Sequence, residues 1–174
     1  MILALDAAYQ DKAAAVGLVR FRHWTSDRPS STRIFPCRTP DVYIPGAFSR
    51  RELPCLVHAL EAAEPSYTHV LVDGYVHLRE PQVKGLGLHL YEYLGGRVIV
   101  IGVAKNPLQT ARDFAPILRG RSRRPLYVSA AGMDKLEAAE LVAGMAGRHR
   151  IPAMLKLADS LARGGLPPAS SLST

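Results

Sequence analysis

The sequence predicts an α/β fold, a mixed central sheet flanked by helices, and three observations carry that prediction. Two β-compatible apolar runs lie close together at the amino end, Ile2 to Leu5 and Ala13 to Phe21, and the polar residues Gln10, Asp11 and Lys12 between them read as the turn of an antiparallel hairpin. Two buried-type runs, His69 to Val72 and Arg97 to Val103, enclose a helical stretch from about Val83 to Leu94. A strand, a helix and a second strand make parallel neighbours through a right-handed crossover. The third observation is capacity: 174 residues, 48% of them apolar, bury one sizeable core and leave little room for a second, so residues 1–174 are expected to form a single domain.

The remaining elements follow in order. A Ser, Pro and Thr-rich segment from Thr25 to Pro40 holds one candidate third strand, Arg33 to Pro36, and leads to the loop phrase Tyr43-Ile44-Pro45-Gly46. From Phe48 to Ala63, Leu53, Leu56, Val57 and Leu60 recur at helical spacing until Pro65 stops the pattern, and Glu52 rides on the first turns. The tail adds a strand at Leu126 to Ser129, a helix from near Asp134 that carries Leu136, Glu137, Leu141 and Val142, and a last helix after Pro152.

Composition narrows the function classes. With 22 Lys and Arg against 15 Asp and Glu the chain carries a formal +7, and a basic chain gathers anions, of which nucleic acid is the commonest large one. Arg119, Arg121, Arg123 and Arg124 crowd around Gly120 and Ser122, with a smaller set at Arg50 and Arg51; such a run is either a phosphate contact or a solvated loop. The longest apolar run, Val98 to Ala104, is far short of the roughly 20 residues that cross a bilayer. No basic n-region precedes Ile2, so no export is expected, and two cysteines, Cys37 and Cys55, fit a reducing cytoplasm in which no disulfide forms. The six histidines, at 23, 58, 69, 77, 89 and 149, show no zinc-ligand spacing, and neither a G-x-x-x-x-G-K-[ST] loop nor a G-x-G-x-x-G turn is present.

The informative acids are Asp6 and Asp73, each closing an apolar strand, and Glu52 near a helix start. Strand ends are where an open α/β sheet builds its sites. Carboxylates gathered there repel unless a cation lies between them, and hard oxygen donors suit Mg²⁺ or Mn²⁺. Taken singly, each is better accounted for as a strand-end turn or helix-cap residue.

In order, Leu5-Asp6-Ala7-Ala8-Tyr9, Tyr43-Ile44-Pro45-Gly46 with Glu52 six residues after its Gly, Val72-Asp73-Gly74, and Gly102-Val103-Ala104-Lys105-Asn106-Pro107-Leu108 resemble the successive signatures of the endonuclease V family. Tyr127-Val128-Ser129 before Leu136-Glu137, and Arg148 to Pro152 before Leu157-Ala158-Asp159, extend the likeness almost to the carboxyl end. The resemblance implies a ribonuclease-H-like fold and a metal-dependent nuclease that recognises inosine in DNA or RNA and cuts on its 3′ side. It makes Asp6, Glu52 and Asp73 the ligands of Mg²⁺ or Mn²⁺. It makes Lys105 the group that stabilises charge building on the phosphoryl oxygens, and Tyr43, Ile44, Pro45 and Gly46 the strand-separating wedge, with Gly74 also facing the nucleic acid. Outside that motif, core packing is the better account of Tyr43.

The departures from the family pattern set a second expectation. Where the family carries a His just before a Pro, Glu80 precedes Pro81, with Arg79 before it and His77 displaced; counting back from Leu136-Glu137 puts Gly132 in the slot of a second His. Ala7 and Ala8 stand where Val and Ser are usual. Losing a general acid or base costs about 10²- to 10⁴-fold, so weakened cleavage is expected, and the alternative is a protein that binds deaminated or distorted nucleic acid without cutting it. His77 is a candidate partial replacement, otherwise a histidine satisfied locally, and Glu80 is a carboxylate that could widen the metal site.

Overall fold

The computed structural model describes residues 1–10, 13–38, 48–63, 66–79, 83–109, 111 and 113–165. The amino-terminal hairpin is present: β1 (Ile2–Gln10) and β2 (Ala13–Phe21) run antiparallel, with Ile2 opposite Phe21 and Asp6 opposite Gly17. β1 therefore does not end at Asp6 as its apolar run implied; only its parallel pairing to β4 (His69–Val72) stops there, at Leu5 opposite Val72. β3 (Ser31–Arg38) pairs antiparallel with β2 and is longer than the Arg33–Pro36 core that the sequence marked.

The crossover is also present, β4 lying parallel to β7 (Ile99–Ala104) with α2 (Leu86–Tyr93) between them in the chain. Its first residues are not helical, however: β5 (His77–Arg79) and β6 (Val83–Lys84) form a small hairpin, and the helix starts only after Gly85. β9 (Leu126–Ala131) joins β7 antiparallel, and β8 (Ala115–Ile117), which the sequence did not mark, pairs antiparallel with β9. The sheet order is β3-β2-β1-β4-β7-β9-β8, mixed as expected, and each edge strand contains a proline, Pro36 in β3 and Pro116 in β8.

Strand alternation assigns the two faces. Leu3, Leu5, Leu18, Val70, Val72 and Val100 meet α1 (Phe48–Glu61) and α2 through Leu56, Leu60, Leu86 and Leu90. Ile2, Ala4, Val19, Phe21, Leu71 and Ile101 point the other way, against α3 (Lys135–Ala143) and α4 (Ala153–Gly164) through Ala138, Val142, Leu155 and Ala158. α1 accommodates Pro54 within its span. α3 starts where expected, the Asp134 side chain accepting from the amides of Leu136 and Glu137. Among the described residues no helix is long and apolar enough to cross a membrane.

One contact sets the depth of α4. A Cβ at Gly17 would stand 2.2 Å from the Ala158 carbonyl oxygen and 2.7 Å from the Ala162 nitrogen, so only glycine lets the helix backbone rest directly on β2, opposite Asp6.

Candidate active site

Because Leu5 and Val72 are in register, Asp6 and Asp73, each the next residue, stand side by side where β4 ends, with Asp6 still inside β1. Lys105 follows the end of β7, the neighbour on the far side of β4. Its ammonium lies 2.6 Å from Asp73 Oδ2 and 3.8 Å from Asp6 Oδ2. Glu52 arrives from the opposite face, on the first half of α1, and with Asp6 and Asp73 lines one cavity of about 110 Å³. The three acids and the lysine that the sequence picked out are thus assembled at one end of the sheet.

The electrostatics show a centre short of positive charge. Asp6, only 13% exposed at its side chain, has its pKa pushed up to about 7: burial is the largest cause and the Asp73 carboxylate the next, while Lys105 and the amide of Ala7, 2.8 Å from Oδ1, pull the other way. Desolvation favours the neutral amine at Lys105, but its hydrogen bond to Asp73 and the charges of Asp73, Asp6 and Asp159 outweigh it and raise its pKa above the ordinary lysine value. Asp159, on α4, raises the pKa of both Asp6 and Lys105, so it belongs to the same electrostatic centre. The sequence reading passed over it as a site residue, and its bond to Arg163 one helical turn on gives it the look of an ordinary surface pair.

A divalent cation fits the chemistry of this donor set. Three carboxylates supply hard oxygens, the cavity has room for water that a small cation keeps, and the raised pKa of Asp6 marks a position where added positive charge is favoured. In the conformation described, no three His, Cys, Asp or Glu side chains among the described residues stand close enough to share one ion.

Buried bonds fix the loops that carry these groups. A Cβ at Gly102 would meet the Gly74 carbonyl oxygen at 2.6 Å, and the buried Ser129 hydroxyl accepts from the Val76 amide at 2.9 Å, so β7 and β9 clasp the turn after Asp73. The Tyr75 hydroxyl donates to the Asn106 carbonyl at 2.8 Å, tying that turn to the segment after Lys105, and the Tyr75 ring stacks edge-on to Phe114. Arg150 donates to the carbonyls of Lys105 and Pro125.

Two expectations are corrected. Arg119, expected to touch phosphate, is 6% exposed, and its guanidinium donates to the carbonyls of Ala143, Met145, Gly147, His149 and Arg150; it is spent on the segment between α3 and α4. Arg121, Arg123 and Arg124 remain exposed on the turn between β8 and β9. Gly132, taken as the slot of a lost active-site histidine, adjoins Tyr91 and Ile99. Because β9 runs antiparallel to β7, that position lies at the end of the sheet away from Asp6 and Asp73, and a side chain there is no part of this centre. His77 opens β5 opposite Lys84 and lines neither hollow around the acids. Gly74 has a φ of +137°, with open space where a Cβ would stand. Tyr43, Ile44, Pro45, Gly46 and Glu80 lie outside the described residues.

Residues 1–160 match the family model of endonuclease V. The chain belongs to the endonuclease V family. It is 29% identical to endonuclease V of Streptomyces coelicolor, across 97% of this chain and 80% of that one, and 32% identical to endonuclease V of Roseiflexus castenholzii, across 72% and 64%. Its fold matches that of Ciona intestinalis endonuclease V, solved with a 24mer DNA containing an inosine followed by a ribo-adenosine, with a TM-score of 0.76 at 18% identity over 94% of this chain and 84% of that one. The fold is therefore the ribonuclease-H-like fold of endonuclease V, and membership implies a nuclease. The Gly102 to Lys105 phrase of the endonuclease V likeness gains a physical reading: its glycine admits the Asp73 turn and its lysine meets the two aspartates.

Proposed function

We propose that this chain is an endonuclease dependent on Mg²⁺ or Mn²⁺ that hydrolyses a phosphodiester on the 3′ side of inosine in DNA or RNA. One observation carries the reading: Asp6, Glu52 and Asp73, from three elements far apart in sequence, line a single cavity with Lys105 bound across two of them. Acids gathered without a cation would repel a phosphate backbone, so their assembly in a basic nucleic-acid enzyme fits a cation-dependent cut.

Asp6, Glu52 and Asp73 would hold the cation, which when bound polarises the scissile phosphate and lowers the pKa of water. Lys105 has a charge poised between the aspartates; with that repulsion neutralised its ammonium can turn to the phosphoryl oxygens and stabilise charge as it develops there. Tyr43 to Gly46 would fill the gap left by an extruded base, and exposed Arg121, Arg123 and Arg124 would follow the flanking phosphates.

Incubation with inosine-containing DNA and RNA strands, with and without Mn²⁺, tests this. Cutting one side of inosine only with the metal is the expected result, and Asp73→Asn should abolish both cleavage and the metal-induced rise in melting temperature. The second reading, binding without cutting, is favoured by Lys105 already bridging Asp6 and Asp73. Retained strand binding with neither cleavage at enzyme excess nor a metal shift would establish it instead.

A further inference from the structure

A hollow of about 530 Å³ opens at the other end of the sheet from the acids, over the end of β2 and the start of β3. Arg20, Arg22, Arg33, Ser30 and Ser31 line it, and no carboxylate does among the described residues. The register explains the gathering: Leu3 faces Arg20, Arg20 faces Ser31 and Leu18 faces Arg33, so these side chains share one sheet face, with Leu3 and Leu18 as an apolar floor.

Two of the guanidinium groups are braced by the chain just past α1. Arg33 donates to the Ala62 carbonyl at 3.3 Å and Arg20 to the Ser66 hydroxyl at 2.5 Å. One such bond orients a guanidinium, whose planar fork carries five N–H donors and suits phosphate oxygens. The volume is that of a small-molecule site, and an apolar floor beneath cations suits a ligand with both a flat apolar part and an anionic group.

We propose that this hollow is a phosphate-binding site for a nucleotide unit, separate from the acidic centre. Three to five residue steps lead from Asp6 back to Leu3 and Met1, roughly 10–16 Å at a strand's ~3.3 Å rise, or about three to five nucleotides at the 3.4 Å spacing of a duplex strand. The unit is then either part of a strand engaged at the acids or a free nucleotide. The strand source rests on the proposed nuclease reading, whereas phosphate binding itself does not.

The test uses the full chain with inorganic phosphate, AMP and a 20-nucleotide single strand containing one inosine, at ionic strength matched with chloride. Phosphate and AMP should raise the melting temperature of the wild type, AMP more strongly. Arg22→Gln/Arg33→Gln should lose both shifts, and Arg22→Lys/Arg33→Lys should keep part of them. If the Gln double variant does not fold, Arg22→Glu alone replaces it, since Arg22 is exposed. A fall of about 0.7 in the slope of log affinity against log salt for the strand assigns the site to the bound strand. An unchanged slope with the AMP shift lost assigns it to a free nucleotide. Equal responses of wild type and Gln variant to phosphate and AMP overturn the proposal. Failure of the nuclease reading looks different: the wild type would not cut the strand with Mn²⁺ while its phosphate and AMP shifts remain, whereas if that reading holds the Gln double variant should still cut a six-nucleotide strand.

Discussion

At the scale of single residues, the balance at Asp6 makes a prediction about pH. Its folded pKa, about 7, lies above the ordinary 3.8, so between those values the folded state holds a proton that the unfolded state has released. Stability from this group is therefore present below about pH 4 and is lost as pH rises toward 7, at up to ~1.4 kcal/mol for each pH unit crossed. Melting curves without divalent cation should show that decline, Asp6→Asn should flatten it, and Mn²⁺ should stabilise the wild type more at pH 8 than at pH 5, because the ion competes with the proton. Arg119 makes the second prediction at this scale. Arg119→Met strands several buried carbonyls and should cost about 3 kcal/mol in urea unfolding, while leaving the salt dependence of strand binding unchanged.

At the scale of elements, close approaches hold the centre together. Gly17→Ala drives a methyl into the backbone of α4 at Ala158, and backbone cannot swing aside, so a loss of about 3 kcal/mol is expected in thermal or urea unfolding, with Asp159 displaced from the acids. Ser129→Ala leaves the buried Val76 amide unpaired, costs about 1–3 kcal/mol, and should lower the cleavage rate more than strand affinity, because it loosens the Asp73 turn. The hairpin, the crossover and the start of α3 were legible because each has an alternation, a period or a cap in its own residues, such as Asp134 before Leu136 and Glu137, whereas α2 starts later than its apolar pattern, after an uncapped Gly85. β8 was not: Ala115-Pro116-Ile117 is three residues with a proline and no alternation. Of the acids, Asp73 follows a strand end as its apolar run implies, whereas Asp6 ends only its apolar run and lies inside β1. The burial of Arg119 could not, since its partners lie 24 to 31 residues further on, and the remoteness of Gly132 follows only from the direction of β9.

For the molecule as a whole, which carries a formal +7, arginines stand at both ends of the sheet, Arg121, Arg123 and Arg124 near the end that holds the acids and Arg20, Arg22 and Arg33 at the other. Replacing Arg121 and Arg123 by alanine should make strand binding less salt-dependent, by about 0.7 for each phosphate that is no longer neutralised, measured by titration at several salt concentrations; an unchanged slope would make the turn a solvated loop. The prolines at the two margins of the sheet bear on a different property. An incoming chain needs a run of outward amide donors to dock alongside, and Pro36 and Pro116 each interrupt that run, so neither margin is a good template for polymerisation. A concentrated solution of this nuclease should thus resist fibril growth even when partly unfolded, and valine at positions 36 and 116 would remove that protection.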